Sequence, residues 1–303
     1  MDRRELFRTT AVAFVAAATA ALTACAGPSA RPTTTPAPTT ADAPSTTLVA
    51  PTTVATTTTS TSRGAPTTAP ATTSTTSTHA VRAATAQTAP ARAPCPVTLA
   101  SRLASTGAAR QLVTVESDGW GTSEAQVELW SKSVSGCWMA VAGPWPSLIG
   151  QNGFSEHHRE GDGTTPTGRY GVGPVMYGNA ADPGVQERYV HLVCGDWWDE
   201  DPTSTAYNTF QYVPCGQKPS FGGQSEALWQ ETAPYPSFAV IDYNTDPVQA
   251  YAGSAIFFHA DTGQATTGCV SVPLADLDLA LRWLNPADQP AFVMGPASVI
   301  ADY

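Results

Sequence analysis

Residues 26–93 set the first limit on what this chain can fold into. The tract is mostly Thr, Ala, Pro and Ser, with almost no large apolar side chains. A segment of that composition cannot bury enough surface to offset the entropy of ordering it, so a disordered tether is expected there. Proline spacing stiffens such a tether, while Thr and Ser keep it solvated and open to O-glycosylation. As a coil it would reach on the order of 50 Å, from about 5–6 Å times the square root of its length. The remaining residues, 94–303, number about 210, enough for one well-packed domain.

Residues 1–25 read as an export signal. Arg3 and Arg4 open a basic region, and Thr9 to Leu22 is an alanine-rich apolar run too short for a comfortable membrane span. The Arg-Arg pair fits a twin-arginine route, and a general secretory signal with a basic start fits equally. Leu22-Thr23-Ala24-Cys25 matches a bacterial lipobox, in which the cysteine is acylated. Each buried methylene of the acyl chains then adds roughly 0.8 kcal/mol of membrane affinity. The expected location is the outer face of the cytoplasmic membrane and the cell wall, with the membrane as partner through the lipid.

Charge divides at the same boundary. Residues 1–93 carry a net +4, and residues 94–303 carry eight Lys and Arg against 22 Asp and Glu, a net of −14. A domain so acidic is a poor partner for nucleic acid or anionic lipid. Six cysteines stand at 25, 95, 137, 194, 215 and 269, without the paired spacing of a structural zinc site. No metal or cofactor is expected. In an exported chain Cys95, Cys137, Cys194 and Cys215 form two bridges, in one of three pairings. Cys95–Cys137 and Cys194–Cys215 are the expected ones, because each brackets a short self-contained stretch.

The domain reads as mainly β with one or a few short helices. Strands are predicted at 111–115, 125–131, 137–142, 189–193, 237–243, 254–259 and 291–295, with Asp118-Gly119 and Ser135-Gly136 as turns. One helix is predicted over 273–284. Ser271 is its expected N-cap, and Leu274, Leu277, Leu281 and Leu284 form its core face. His157 and His158 are adjacent and point apart in a strand, which argues against a metal pair. The turn-rich stretch 161–168 suits either a rigid loop shaping a cleft or a plain connection. Trp197 and Trp198, among acids and between Cys194 and Cys215, read as a stapled loop rather than core strand. Two roles stand for that loop, an acid-rimmed lid or structure alone.

Chemistry concentrates in 256–271. An apolar run delivers His259, a polar loop follows, and Thr267-Gly268-Cys269 re-enters an apolar stretch. An imidazole beside a thiol is the pairing that makes cysteine a nucleophile. Taken separately, Cys269 reads as a buried structural thiol and His259 as a hydrogen-bonded core residue.

His259 with Thr267-Gly268-Cys269-Val270-Ser271 resembles the active-site motif of L,D-transpeptidases of the YkuD/ErfK fold. Glu160 to Gly168, Ile241 to Asn244 and the helix ending in Trp283-Leu284 add to the resemblance, which spans roughly 110–299. Many members have a longer His-to-Cys insertion, a Ser-His-Gly-Cys core, and Arg or Asn two residues beyond the cysteine. Thr266-Thr267 and Ser271 stand there instead, the pattern of a divergent lipoprotein branch. The resemblance implies a β-sandwich or mixed sheet and acyl transfer on peptidoglycan stem peptides. It casts Cys269 as nucleophile, His259 as base, and the backbone N–H groups of Gly268 and Cys269 as oxyanion donors. Thr267, Tyr243 and Asn244 would bind substrate. Asp261, Thr266 or a backbone carbonyl would orient the imidazole, and acidic groups near the cleft would attract an acceptor amine. Two other readings stand beside it: an L,D-carboxypeptidase using water, and a wall-binding lipoprotein without catalysis.

Overall fold

A computed structural model describes residues 93–303. The export signal, the Cys25 lipidation site and residues 26–92 of the tether lie outside the described residues. Fourteen strands and two α-helices are present among the described residues. The first helix, α1, spans Leu99–Arg102, and the first three strands are β1 (Gln111–Ser117), β2 (Glu124–Lys132) and β3 (Trp138–Leu148). Next come β4 (Phe154–Ser155), β5 (Thr165–Pro166), β6 (Gly168–Gly178) and β7 (Arg188–His191). An excursion follows with β8 (Asp196–Asp199), β9 (Thr209–Tyr212) and β10 (Glu226–Ala227). The chain ends with β11 (Phe238–Ile241), β12 (Phe257–Ala260), β13 (Val270–Val272), α2 (Leu274–Trp283) and β14 (Ala291–Pro296).

Eight of these strands close into a mixed barrel. Their order is β11, β12, β13, β3, β2, β1, β14, β6, and β6 pairs back onto β11, while β7 hangs on the outer side of β6. Two neighbours in the ring are parallel, β1 with β14 and β12 with β13, and the others are antiparallel. The mainly β class is thus present, as a closed ring rather than two stacked sheets. Closure removes the free sheet edges that invite pairing with other chains.

Alternation along the strands sorts the core. Val113, Val115, Val127, Leu129, Met176, Ile241, Phe258, Val270, Phe292 and Met294 form one buried cluster. Their neighbours Leu112, Trp130, Ala291 and Val293 belong to a second cluster with α1. Phe238, Val240, Phe257 and Cys269 belong to a third, with Trp198 and Tyr235 from the excursion. A period of two along each strand produces this split.

The helix over 274–283 adds Leu277, Ala280, Leu281 and Leu284 to the first cluster. Two details differ from expectation. Its N-cap is Pro273 with no side-chain bond, because Ser271 is held inside β13 and donates to the carbonyl of Leu148. Leu274, the first helical residue, is 47% exposed and outside the core face. The strand β6 was also not apparent in the sequence, because four glycines punctuate it like a turn. Those glycines admit close neighbours: a Cβ on Gly171 would stand 2.9 Å from Asp242 Oδ2, and one on Gly173 3.0 Å from Val240 Cβ. A strand flanked by β14 and β11 needs that clearance.

Both expected disulfides form, Cys95–Cys137 and Cys194–Cys215, which marks an oxidising, extracellular environment. No helix among the described residues is long and apolar enough to cross a membrane. The second bridge closes a separation of 21 residues around β8 and β9. Contrary to the loop reading, Trp197 and Trp198 lie in β8, at the centre of a small sheet ordered β10, β8, β9. On the chain-entropy relation a loop of that size contributes about 3 kcal/mol. Replacing Cys194 and Cys215 together by Ser is therefore expected to lower unfolding stability by about that amount. Chemical denaturation of oxidised protein checks this, and an unchanged midpoint would refute it.

Candidate active site

The pairing of β12 with β13 places the two chemical side chains. Phe258 stands opposite Val270 and His259 opposite Ser271, in parallel register. Cys269 therefore stands opposite Phe257, and the outward face of the two strands carries Phe257, His259, Cys269 and Ser271. The inward face carries Phe258, Ala260, Val270 and Val272. His259 and Cys269 are diagonal neighbours, roughly 8 Å apart at the backbone from strand rise and spacing. Cys269 is the free thiol among the described residues.

Each group rests on the backbone, with no hydrogen bond to the other. The thiol of Cys269 donates to the carbonyl of Ala255 at 3.1 Å, and Sγ accepts from the Phe257 N–H at 3.3 Å. Burial pushes the thiol well above its ordinary range, and the nearby charge of Glu226, then Glu200, pushes it further. Nδ1 of His259 stands 2.9 Å from the carbonyl of Ala260. A carbonyl only accepts, so Nδ1 carries the proton and Nε2 is the basic nitrogen. Burial lowers the imidazole to about 4, so it is neutral at pH 7. Of the three orienting groups considered from sequence, the backbone carbonyl holds it. Asp261 is exposed and caps the N–H of Gly263 instead.

A cavity of about 220 Å³ opens onto both side chains, lined also by His158, Glu160, Glu200, Glu226, Tyr235 and Thr267. The excursion between β7 and β11 roofs it. Tyr235 sets its ring edge-on to His259 at 5.5 Å, and Trp198 sets its ring edge-on to Phe257 at 5.0 Å. Asn208 ties this roof to the barrel. Its Oδ1 accepts from the Trp198 indole and the Ala255 N–H, and its Nδ2 donates to the carbonyls of Tyr243 and Asn244. Ala255, whose carbonyl holds the thiol, has φ of +52°, a conformation costly for a residue with a Cβ and one that collects at functional sites. A larger cleft of about 480 Å³ lies elsewhere, lined by residues that include Glu116, Glu124 and Asp261 but no thiol or imidazole.

The turn before Cys269 is pinned by threonines. Thr266 Oγ1 accepts from the Gly268 N–H at 3.1 Å and donates to the Cys269 carbonyl at 2.7 Å. Thr165 Oγ1 donates to the Gly268 carbonyl at 2.8 Å. As an oxyanion donor Gly268 would have to release Thr266 first. Gly268 itself is required by crowding, since a Cβ would stand 3.0 Å from Ile256 Cδ1 and 3.1 Å from the Thr164 carbonyl.

Tyr243 and Asn244, expected to bind substrate, are used otherwise and do not line the cavity. Tyr243 donates to the Ala252 carbonyl, and Asn244 Nδ2 donates to the carbonyls of Gln249 and Gly253, so both pin the loop 244–253. Of the substrate-binding set, Thr267 alone reaches the cavity. The segment between β4 and β5 contributes His158, Glu160 and Gly161 to the lining, so of the stretch 161–168 only Gly161 reaches the cavity. His158 Nδ1 lies 3.0 Å from Thr164 Oγ1 and 3.1 Å from Asp162 Oδ1, with burial holding the imidazole below its ordinary value. Glu200 stood in the acidic rim read from the sequence, whereas Glu226, Tyr235 and Asn208 were not singled out. The acids between Cys194 and Asp201 were the available signal for Glu200, and nothing local marked the others.

Comparisons of the chain with family models, with curated proteins and with solved structures each find no match.

The acids at the roof are costly. Burial and the charges of Glu226 and Glu160 raise Glu200 to about 10, and burial raises Glu226 to about 7. Between pH 4.5 and 10 the unfolded chain loses a proton that folded Glu200 keeps. Its contribution to stability therefore falls as pH rises, by at most about 1.4 kcal/mol per pH unit. Glu200→Gln is expected to raise the unfolding midpoint at pH 8, with the gain shrinking toward pH 4.5. Thermal unfolding at three pH values tests it, and a pH-independent difference would contradict it.

Proposed function

We propose that this protein is a cysteine-dependent acyltransferase acting on peptidoglycan stem peptides, of L,D-transpeptidase type. The observation that carries the reading is the shared outward face of β12 and β13. That face gives the free thiol and a neutral imidazole one cavity. The oxidising environment and the export and lipobox pattern of residues 1–25 fit a domain held in the cell wall by its N-terminal lipid.

The chemistry runs in two halves. The Cys269 thiol leaves the Ala255 carbonyl and passes its proton to Nε2 of His259, and Sγ attacks the carbonyl carbon preceding a D-Ala. The oxyanion of the tetrahedral intermediate falls to backbone N–H groups of the 267–269 turn. Collapse expels the D-Ala amine, which takes the proton from His259, and leaves a thioester on Cys269. An amine of a second stem peptide attacks that thioester, gives its proton to His259 and restores the thiol. With water in that place the same steps yield an L,D-carboxypeptidase.

A second reading has its own observation. A buried thiol bonded to a carbonyl and held protonated is the usual state of a structural cysteine, and it favours a wall-binding protein without catalysis. Incubation of the soluble domain with tetrapeptide-bearing muropeptides separates the readings by mass. Cross-linked dimers are expected, loss of D-Ala alone would indicate hydrolysis, and unchanged muropeptides would favour binding. A carbapenem is expected to leave an adduct on the wild type and none on Cys269→Ala, and equal labelling of both would sink the nucleophile. For His259→Ala, acylation is expected to slow by roughly 10²–10⁴-fold, the usual worth of a general base.

A further inference from the structure

Three carboxyl groups share the cavity of the thiol without a cation, Glu200 buried and Glu160 and Glu226 half-buried. Glu160 comes from the loop between β4 and β5, Glu200 follows β8, and Glu226 begins β10; all three line the cavity with Cys269. Each is held by neutral donors. Tyr207 and Ser254 hydroxyls donate to Glu160, the latter at 2.7 Å, and the Tyr235 hydroxyl donates to Glu226 at 2.6 Å. Glu200 accepts from the Glu226 backbone N–H, yet its Oε1 has no partner although the residue is only 8% exposed. The ion pairs among the described residues, Arg110–Asp288 and His158–Asp162, involve none of the three. His158 and His259, which line the same cavity, are both held toward the neutral form by burial.

We infer that Glu160, Glu200 and Glu226 form a subsite for a primary alkylammonium ion, and that filling it makes Cys269 reactive. An ammonium has three N–H donors and no acceptor, the complement of acceptors set around a small cavity. No group of three His, Cys, Asp or Glu side chains among the described residues could hold a metal ion. The cavity of about 220 Å³ takes a short alkyl chain behind the charge. Burial is the first cause that keeps Sγ protonated, and the charge of Glu226, joined by Glu200 once it is ionised, adds to it, so a cation between them removes that added repulsion. The subsite stands on geometry. Its natural occupant, an amine of the donor or of the acceptor peptide, rests on the acyltransfer reading.

The test reads the thiol rather than transfer. Iodoacetamide alkylates the thiolate of Cys269, with loss of iodide and release of the thiol proton to solvent, and intact mass follows the rate. Added n-butylammonium chloride is expected to accelerate alkylation saturably by at least about tenfold, the change in thiolate fraction for one pKa unit. n-Butanol, and sodium chloride at equal ionic strength, are expected to have no such effect. Glu200→Gln with Glu226→Gln is expected to raise the basal rate and abolish the response to amine. Equal rates with amine and alcohol in the wild type would overturn the subsite without reference to any variant, as would slowing by the amine. A double variant that still responds would overturn the residue assignment. Single-turnover rates then separate the sources: slowed acylation in the variants places the ammonium on the donor, and slowed deacylation places it on the acceptor. An amine response without any muropeptide turnover would sink the transpeptidase reading and leave the subsite standing.

Discussion

The parallel pairing of β12 with β13 is the constraint on which the rest of the site depends. Its register puts Cys269 opposite Phe257 and His259 opposite Ser271, all facing away from the barrel interior. A slip of one residue in β13 would turn Cys269 into the interior and Val270 outward, and would part the thiol from the face of His259. The site is therefore on the outer wall of a barrel, where water would reach it freely. The excursion between β7 and β11 answers that exposure. It brings Trp198 and Tyr235 over Phe257 and His259, and the Cys194–Cys215 bridge closes its base. The position of the chemistry and the need for a roof are consequences of one strand register.

The roof is held to the barrel by the apolar cluster of Trp198, Leu228 and Tyr235 with Phe238 and Phe257, and by polar contacts converging on Asn208, which reaches Trp198, Ala255 and the segment after β11 together. Ala255 sits there with a left-handed backbone. Such strain persists only where surrounding contacts over-determine it, and here the contact that fixes it comes from the roof. The carbonyl that receives the thiol is thereby placed by a residue of the cover. The cover, the strained alanine and the thiol of Cys269 are linked by consecutive hydrogen bonds.

The parts of this arrangement visible in the sequence are those encoded locally. Strands β1, β2, β11, β12 and β14 announce themselves by apolar runs between turns, and the leucines of α2 by their spacing. The pairing of four cysteines followed from the short stretches they bracket. His259 and Cys269 were legible because strand and turn signals isolate them ten positions apart. What was not legible depends on neighbours distant in the chain. The glycines of β6 look like a turn until Asp242 and Val240 are seen pressing on them. Ser271 looks like a helix cap until β3 claims it. Tyr243 and Asn244 look available for substrate until the loop 244–253 consumes their hydrogen bonds. Glu160, Glu200 and Glu226 lie in three separate segments, and nothing in any one of them shows that they meet.

The resting thiol then poses a question of relative cost. Moving Sγ from the Ala255 carbonyl to His259 gives up one hydrogen bond, about 1 kcal/mol net, and a rotation within a roofed cavity. Ionising it against burial and the charge of Glu226 costs about 1.4 kcal/mol for each pKa unit of upward shift. Electrostatics therefore exceeds the conformational cost once the shift passes about one unit. A neutral imidazole poised near 4 cannot supply the difference alone, because it is a weaker base than free histidine. The same burial that lowers the basicity of His259 raises the affinity of Cys269 for its proton, so both partners are biased against transfer. A change in the charge of the cavity shifts the thiol in the productive direction. Positive charge among the carboxylates lowers the thiol, and a carboxylate kept ionised by that charge is better placed to support an imidazolium at His259.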